Sequence, residues 1–278
     1  MLALRERGLG DPMQSLTRLF HALGFTLLLC LAMVPLASQA ADNAPIPAIA
    51  AAANIKFALD DIVKNFTAET GLKVRVSYGS SGNFVAQIQH GAPFEMLLSA
   101  DERYITELNK VGFTQDEGVM YAIGRLALVA PKKSPLTLDI ELNGLKTLLA
   151  SGKIERFAIA NPDHAPYGES ARELLKKFGL WDDLQTKLIL GENAAQAAQF
   201  AVSGSTQGGI IPLSLAMAPQ FQALGHYVAL PAKYHIPLYQ RMALMPKASS
   251  TAERFYQYLQ SDAARSVFTQ YGFGLPNR

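Results

Sequence analysis

Four times along this chain a short apolar run stops at a turn of small or polar residues, and the sequence then resumes with the period of a helix. The breaks fall at Ala53-Asn54, Ser80-Ser81-Gly82, Pro166-Tyr167-Gly168 and Glu192-Asn193-Ala194. Short strands alternating with amphipathic helices specify an α/β fold on mainly parallel sheets, because a parallel neighbour is reached only through a long crossover.

The runs between the breaks extend this pattern. A strand is expected over Ile46 to Ala53. After it Ile55, Ala58, Leu59, Ile62, Val63 and Phe66 recur at the spacing of one buried helical stripe, and Gly71 stands where a C-cap needs a left-handed residue. Further strands are expected over Val74–Tyr78, Met96–Ser99, Arg125–Pro131, Phe157–Ala160, Leu188–Leu190, Gly208–Ile211 and Met242–Met245. Helices are expected after Ser80 and after Asp101, around Ala171, Leu174, Leu175 and Phe178, from Ala194 towards Gly204, and from Thr251 to Tyr271. The pattern restarts after Pro131 without any repeat of sequence, so two similar α/β halves are expected.

Residues 1–40 stand apart. Arg18 precedes the apolar run Phe25–Leu36, and Ala37-Ser38-Gln39-Ala40 places small residues at the −3 and −1 positions of a cleavage site. This is the pattern of a cleavable secretory signal peptide, with Met13 an alternative start to Met1 and an apolar run too short to span a bilayer comfortably. Cys30, the only cysteine, lies inside that run, and Leu29 before it is too large for a lipoprotein signal. Removing three basic and two acidic residues from the chain's 25 and 23 leaves 22 and 21, a net charge of +1 on the mature, exported product. That balance argues against nucleic acid as a partner, which calls for a basic face. The mature chain lacks the cysteines for a disulfide framework or a thiolate metal site, and the five histidines of the full sequence, one of them within residues 1–40, show no metal-ligand spacing.

The four breaks are the places where chemistry can sit. A helix start exposes backbone N–H groups at the positive end of the macrodipole, which suits an oxyanion without any lysine or arginine. In open α/β sheets ligands lie at the carboxyl ends of strands. Asn and Ser at such places also serve as ordinary N-caps. Gly79-Ser-Ser-Gly82 can be imagined as a nucleophile turn, with Ser81 served by His164 and Asp101, which would make an exported serine hydrolase; the Gly-x-Ser-x-Gly spacing is missing. Asp101 reads as a helix cap, Trp181 as packing, Arg125 and Arg241 as structural or solvated, and His90, His226 and His235 as surface residues.

The order and spacing of several segments resemble the periplasmic molybdate-binding proteins of ABC importers. The segments are Ala51-Ala-Ala-Asn-Ile55, Gly79-Ser-Ser-Gly82 with Gln87-Ile88 and Gly91-Ala-Pro93, Ser99-Ala-Asp101, Asn161-Pro-Asp-His-Ala-Pro-Tyr-Gly168, Leu180-Trp-Asp-Asp-Leu184, Gly209-Ile-Ile211 and Tyr271-Gly-Phe273. The resemblance implies a two-lobed type II periplasmic binding fold, each lobe a mainly parallel sheet flanked by helices, with the anion in the interlobe cleft. It implies lobe I at 41–123 plus 235–278 and lobe II at 124–234.

Carried over position by position, the family's oxyanion contacts fall on Asn54 through its amide and backbone, with Ala53 beside it through backbone. They fall next on Ser81 through hydroxyl and backbone, and on Tyr167 and Ala194 through backbone N–H. A further contact, a Tyr in some members, falls on Pro212, which has neither phenol nor N–H, so that donor is absent or replaced by Ser214. The resemblance implies capture of molybdate and tungstate in the periplasm by a monomer, delivery to an inner-membrane permease with its ATPase, no cofactor, no protein-ligated metal and no enzymatic activity. Sulfate, thiosulfate or phosphate on the same fold, and the serine hydrolase, remain the alternatives.

Overall fold

Several strands of this chain are apolar and buried at every position, a pattern that suits a sheet covered on both faces. A computed structural model describes residues 46–277; the expected signal peptide, with Cys30 and both candidate starts, lies outside the described residues. The chain runs β1 (Ala48–Ala52), a single 3-10 turn (Ala53–Ile55), α1 (Lys56–Thr70), β2 (Arg75–Gly79), α2 (Ser81–Gln89), β3 (Met96–Ser99), α3 (Glu102–Lys110) and β4 (Val119–Gly124). It continues with β5 (Leu126–Pro131), α4 (Asn143–Ala150), β6 (Phe157–Ala160), α5 (Pro166–Lys177), α6 (Trp181–Leu184), β7 (Leu188–Gly191), α7 (Ala194–Val202), β8 (Gly208–Pro212), α8 (Leu213–Ala216), α9 (Pro219–Gln222) and β9 (Gly225–Ala229). It closes with β10 (Leu238–Leu244), α10 (Ser250–Tyr258) and α11 (Asp262–Gln270).

Two five-stranded sheets result, ordered β2-β1-β3-β10-β4 and β7-β6-β8-β5-β9. In each, one strand alone runs against the rest: β10 is antiparallel to β3 and β4, and β5 is antiparallel to β8 and β9. Those two reversed strands are the ones that follow a crossing. The chain leaves the first sheet after Gly124 and enters the second at Leu126, then returns between Ala229 and Leu238.

Alternation sets what each face buries. In the first sheet Ile49, Ala51, Met96, Leu98, Met242 and Leu244 meet α1, α10 and α11, with Leu59, Ile62, Phe66, Phe255 and Phe268 filling that side. Ala50, Leu97 and Ala243 point the other way, against Phe84, Val85, Ile88, Ile105 and Leu108 of α2 and α3. In the second sheet Leu126, Leu128, Phe157 and Ile159 face Leu174 and Leu175 of α5, while Ala127, Val129 and Ala158 face the alanines of α7. The predicted stripe of α1 is buried at Ala58, Leu59, Ile62 and Phe66, and Gly71 closes the helix at φ +71° with its N–H on the Thr67 carbonyl.

Three departures from the sequence reading have local causes. The expected 251–271 helix is two helices, because the Ser261 hydroxyl accepts from the Ala264 N–H and starts a new one. The strand expected at Met242–Met245 begins earlier, at Leu238, since Gln240 is buried although polar. Strands β4 and β9 and helix α4 were not expected. Beta4 alternates weakly, being partly buried at Val119, Met120 and Ile123, and β9 buries only Gly225. Among the described residues no helix is long and apolar enough to cross a membrane.

Phe66 packs edge-on against Phe255 and Tyr258, with ring centroids 5.0 and 5.3 Å apart. Phe66→Ala is expected to destabilise by about 3–5 kcal/mol in urea unfolding, through lost burial and a cavity between helices that cannot collapse. Gly124 ends β4 where space is tightest: a Cβ there would sit 2.2 Å from the Tyr167 hydroxyl and 2.7 Å from Gln240 Nε2. Gly124→Ala is expected to lower stability by about 1–3 kcal/mol, with unchanged helix content by circular dichroism. An unaltered unfolding midpoint would mean that the strand yields instead.

Candidate functional site

Each break read from the sequence lies just past the carboxyl end of a strand and at the start of a helical turn. After β1, Asn54 sits buried in the 3-10 turn, with its backbone carbonyl accepting from the Ser214 hydroxyl at 2.8 Å. After β2, Ser80 occupies the N-cap position of α2 without capping it; its hydroxyl meets His164 Nδ1 at 3.1 Å. Ser81 follows, fully buried, and its Oγ accepts from the Ala100 N–H at 3.0 Å, which leaves its own proton free to donate. After β6, Pro166 opens α5 and has no N–H, so Tyr167 carries the first backbone donor of that helix. After β7, Asn193 caps α7 by accepting from Ala195 and Gln196 at 3.0 and 3.1 Å, leaving the Ala194 N–H ahead of the cap.

The backbone N–H groups of Asn54, Ser81, Tyr167 and Ala194 thus lie in first turns, where no intrahelical acceptor exists, and none meets another acceptor among the described residues. Ala53, buried beside Asn54, starts the 3-10 turn, and α7 packs against that turn.

A line of contacts joins the two sheets' loops around these residues. The Gly82 N–H donates to the His164 carbonyl at 3.0 Å, an approach so close that a Cβ on Gly82 would stand 2.9 Å from that oxygen. Asn83 donates to Glu192 at 2.6 Å, and the Arg103 guanidinium holds both Asp101 and Glu169 at 2.6 Å. Deeper, Asn54 Nδ2 donates to Gln240 Oε1 at 3.0 Å and to the Tyr167 hydroxyl at 3.4 Å. Gln240 Nε2 donates to the same Tyr167 oxygen at 3.0 Å, and the Tyr121 hydroxyl lies 2.9 Å from Gln240 Oε1 and 3.2 Å from the Ser99 carbonyl. Burial pushes both phenols above their ordinary pKa, so they keep their protons.

All five predicted residues therefore border one seam, and none of them is charged. Ser214 does not take over the donor missing at Pro212: its hydroxyl proton is committed to the Asn54 carbonyl, and it braces the turn instead. The arrangement needed for a hydrolase is not formed. His164 meets Ser80 rather than Ser81, and Asp101 caps α3 and pairs with Arg103 instead of orienting the histidine. Arg241 pairs with Glu102 at 3.0 Å, while His235 is buried rather than at the surface, and burial lowers its pKa. Among the described residues no group of His, Cys, Asp and Glu is placed to hold a metal.

Sequence reasoning missed Tyr121 and Gln240. They lie far from Asn54 along the chain and next to no turn signal. A polar residue inside the apolar run of β10 was the only available hint.

Comparison with known proteins identifies the family. A family model described as bacterial extracellular solute-binding protein matches residues 48–274. The molybdate-binding protein of Azotobacter vinelandii is 35% identical over 264 residues, covering 94% of this chain and 98% of its own. That of Rhodobacter capsulatus is 31% identical over 227 residues, covering 81% and 86%. The solved periplasmic molybdate-binding protein of A. vinelandii superposes with a TM-score of 0.75 at 28% identity, over 83% of this chain and 100% of that one. The match spans both sheets and all four helix starts, and the chain belongs to the bacterial extracellular solute-binding proteins, with the two-lobed fold of a periplasmic binding protein.

Proposed function

We propose that this protein captures molybdate, and with it tungstate, in the periplasm and hands it to an ABC importer. The observation that carries the reading is the set of uncommitted donors on one seam: the N–H groups of Asn54, Ser81, Tyr167 and Ala194 and the Ser81 hydroxyl, with Ala53 alongside. A tetrahedral oxyanion dianion accepts hydrogen bonds and donates none, so a ring of donors with no carboxylate in it matches its chemistry. Helix starts add a favourable field without a full counter-charge. The molybdate-binding relatives, alike over nearly the whole chain, favour molybdate over other anions of this shape.

In this reading residues 1–40 direct export and are cleaved, lobe I comprises 41–123 plus 235–278, and lobe II comprises 124–234. The lobes close on the anion by hinge motion at the two crossings, and the closed monomer is what an inner-membrane permease with its ATPase reads. No cofactor or protein-ligated metal takes part.

Titration calorimetry with molybdate, tungstate, sulfate, thiosulfate and phosphate is expected to give tight binding for the first two. Sulfate that binds tightly and is not displaced by molybdate would overturn the assignment. Ser81→Ala is expected to weaken molybdate binding about ten- to hundredfold, the worth of one hydrogen bond to a charged group. Molybdate should also raise the thermal midpoint of the wild type in proportion to occupancy.

A further inference from the structure

Behind the seam lie four polar side chains that the binding reading does not by itself require: Tyr121, Gln240, Tyr167 and the far side of Asn54, all within 3% of full burial. Gln240 is at their centre. It sits where the β10–β4 ladder slips register, pairing with Ala122 while Arg241 pairs with Met120, so that Tyr121 is the extra residue of a bulge. Bulges re-aim side chains, and this one sets the Tyr121 hydroxyl 2.9 Å from the Gln240 amide.

The hydrogens in this cluster can be counted. With Asn54 Nδ2 donating to Gln240 Oε1, the Tyr167 oxygen faces two N–H donors, and its own proton has no acceptor among the described residues. Asn54 Oδ1 is buried with no donor. The single Tyr121 proton is sought by both Gln240 Oε1 and the Ser99 carbonyl. A half-turn of both amides exchanges oxygen for nitrogen and moves no other atom. Gln240 Nε2 then donates to Asn54 Oδ1 and to the Tyr121 oxygen, Tyr121 donates to Ser99, and Tyr167 donates to Gln240 Oε1. Every buried group of the cluster but one is then paired, as buried groups are in native proteins, and the one left without a protein partner is the Asn54 N–H2. The Asn54 amide now turns its N–H2 to the side away from Gln240, where the unpaired oxygen stood.

We propose that Gln240 is a positioning residue that fixes which end of the Asn54 amide meets the bound anion. This rests on the oxyanion-binding reading above and adds a determinant of selectivity to it. An Asn54 held N–H2 outward offers only donors, which suits an anion with no proton. An Asn54 turned the other way offers a lone pair, which repels such an anion and accepts from a protonated one such as hydrogen phosphate. The Ser99 carbonyl, fixed in β3, sets Tyr121; Tyr121 from one lobe and Tyr167 from the other set Gln240; Gln240 sets Asn54. Because Tyr167 lies on α5, the setting is complete only with the lobes together.

The test is a double-mutant cycle on molybdate affinity, by calorimetry on wild type, Gln240→Met, Asn54→Ala and the double variant. Gln240→Met is expected to weaken molybdate binding about tenfold in the wild-type background and less than about twofold when Asn54 is already alanine. It is also expected to narrow the preference for molybdate over hydrogen phosphate. Equal losses in both backgrounds, or an unchanged anion preference, would mean a purely structural glutamine and overturn the proposal. If Gln240→Met does not fold, side-chain amide NMR of the wild type decides. The Asn54 N–H2 protons should shift and gain exchange protection on adding molybdate, while those of Gln240 are protected with or without it. Asn54 amide protons indifferent to molybdate overturn the role of Gln240. A wild type that binds no tetrahedral anion overturns the functional reading and this one with it.

Discussion

A backbone N–H in the first turn of a helix has no partner inside that helix, and this chain brings four such turns to one seam. The rest of the architecture is what makes that possible. In each sheet β1, β2 and β3, or β6, β7 and β8, run parallel, so their carboxyl ends lie on one side and the helices that follow begin there. Facing two such sides across a seam gives donors from both. Antiparallel hairpins would scatter helix starts to both ends of the sheets.

The crossings solve a second problem. A chain that visits one sheet, leaves and returns must enter each sheet at a strand that fits its connection. Here β5 and β10, the strands after each crossing, run against their neighbours and lie fourth in identical strand orders. The crossing from β4 to β5 is a single residue, Arg125, and Gly124 before it has no side chain because the Tyr167 hydroxyl and the Gln240 amide take up that space. The segment that joins the two sheets is thereby in contact with Tyr167 and Gln240.

Local chemistry explains what could be read from the sequence. Strands and helices with strong periodicity, such as the Ile55–Phe66 stripe and its Gly71 cap, announce themselves within a dozen residues, and so do the four breaks, because a strand end, a small polar turn and a helix start are contiguous. The five residues expected to contact an anion were singled out only through the family resemblance, since Asn54 or Ser81 alone is indistinguishable from a cap. The bulge at Gln240 and Arg241 was not legible: register slips depend on two strands more than a hundred residues apart, and no pattern within β10 records which residue of β4 is left over. Ser214 shows the same limit. Its position after Pro212 suggested a replacement donor, but the direction of its proton is set by the Asn54 carbonyl, a tertiary neighbour.

The near balance of 25 basic and 23 acidic residues suits a seam lined by neutral donors. A lysine or arginine in the donor set would attract any anion strongly, sulfate as well as molybdate, and hold it against release. Neutral donors fixed by helix starts attract less and discriminate more, because each bond depends on the distance between a rigid N–H and an oxygen whose position is set by the size of the anion. Such selectivity fails if any donor can turn into an acceptor. Backbone N–H groups cannot turn, and the Ser81 hydroxyl is held by the Ala100 N–H so that only its proton is free. Asn54 alone among the five carries a side chain with a donor at one end and an acceptor at the other. Its amide is also the one hydrogen-bonded to buried side chains, Gln240 and Tyr167.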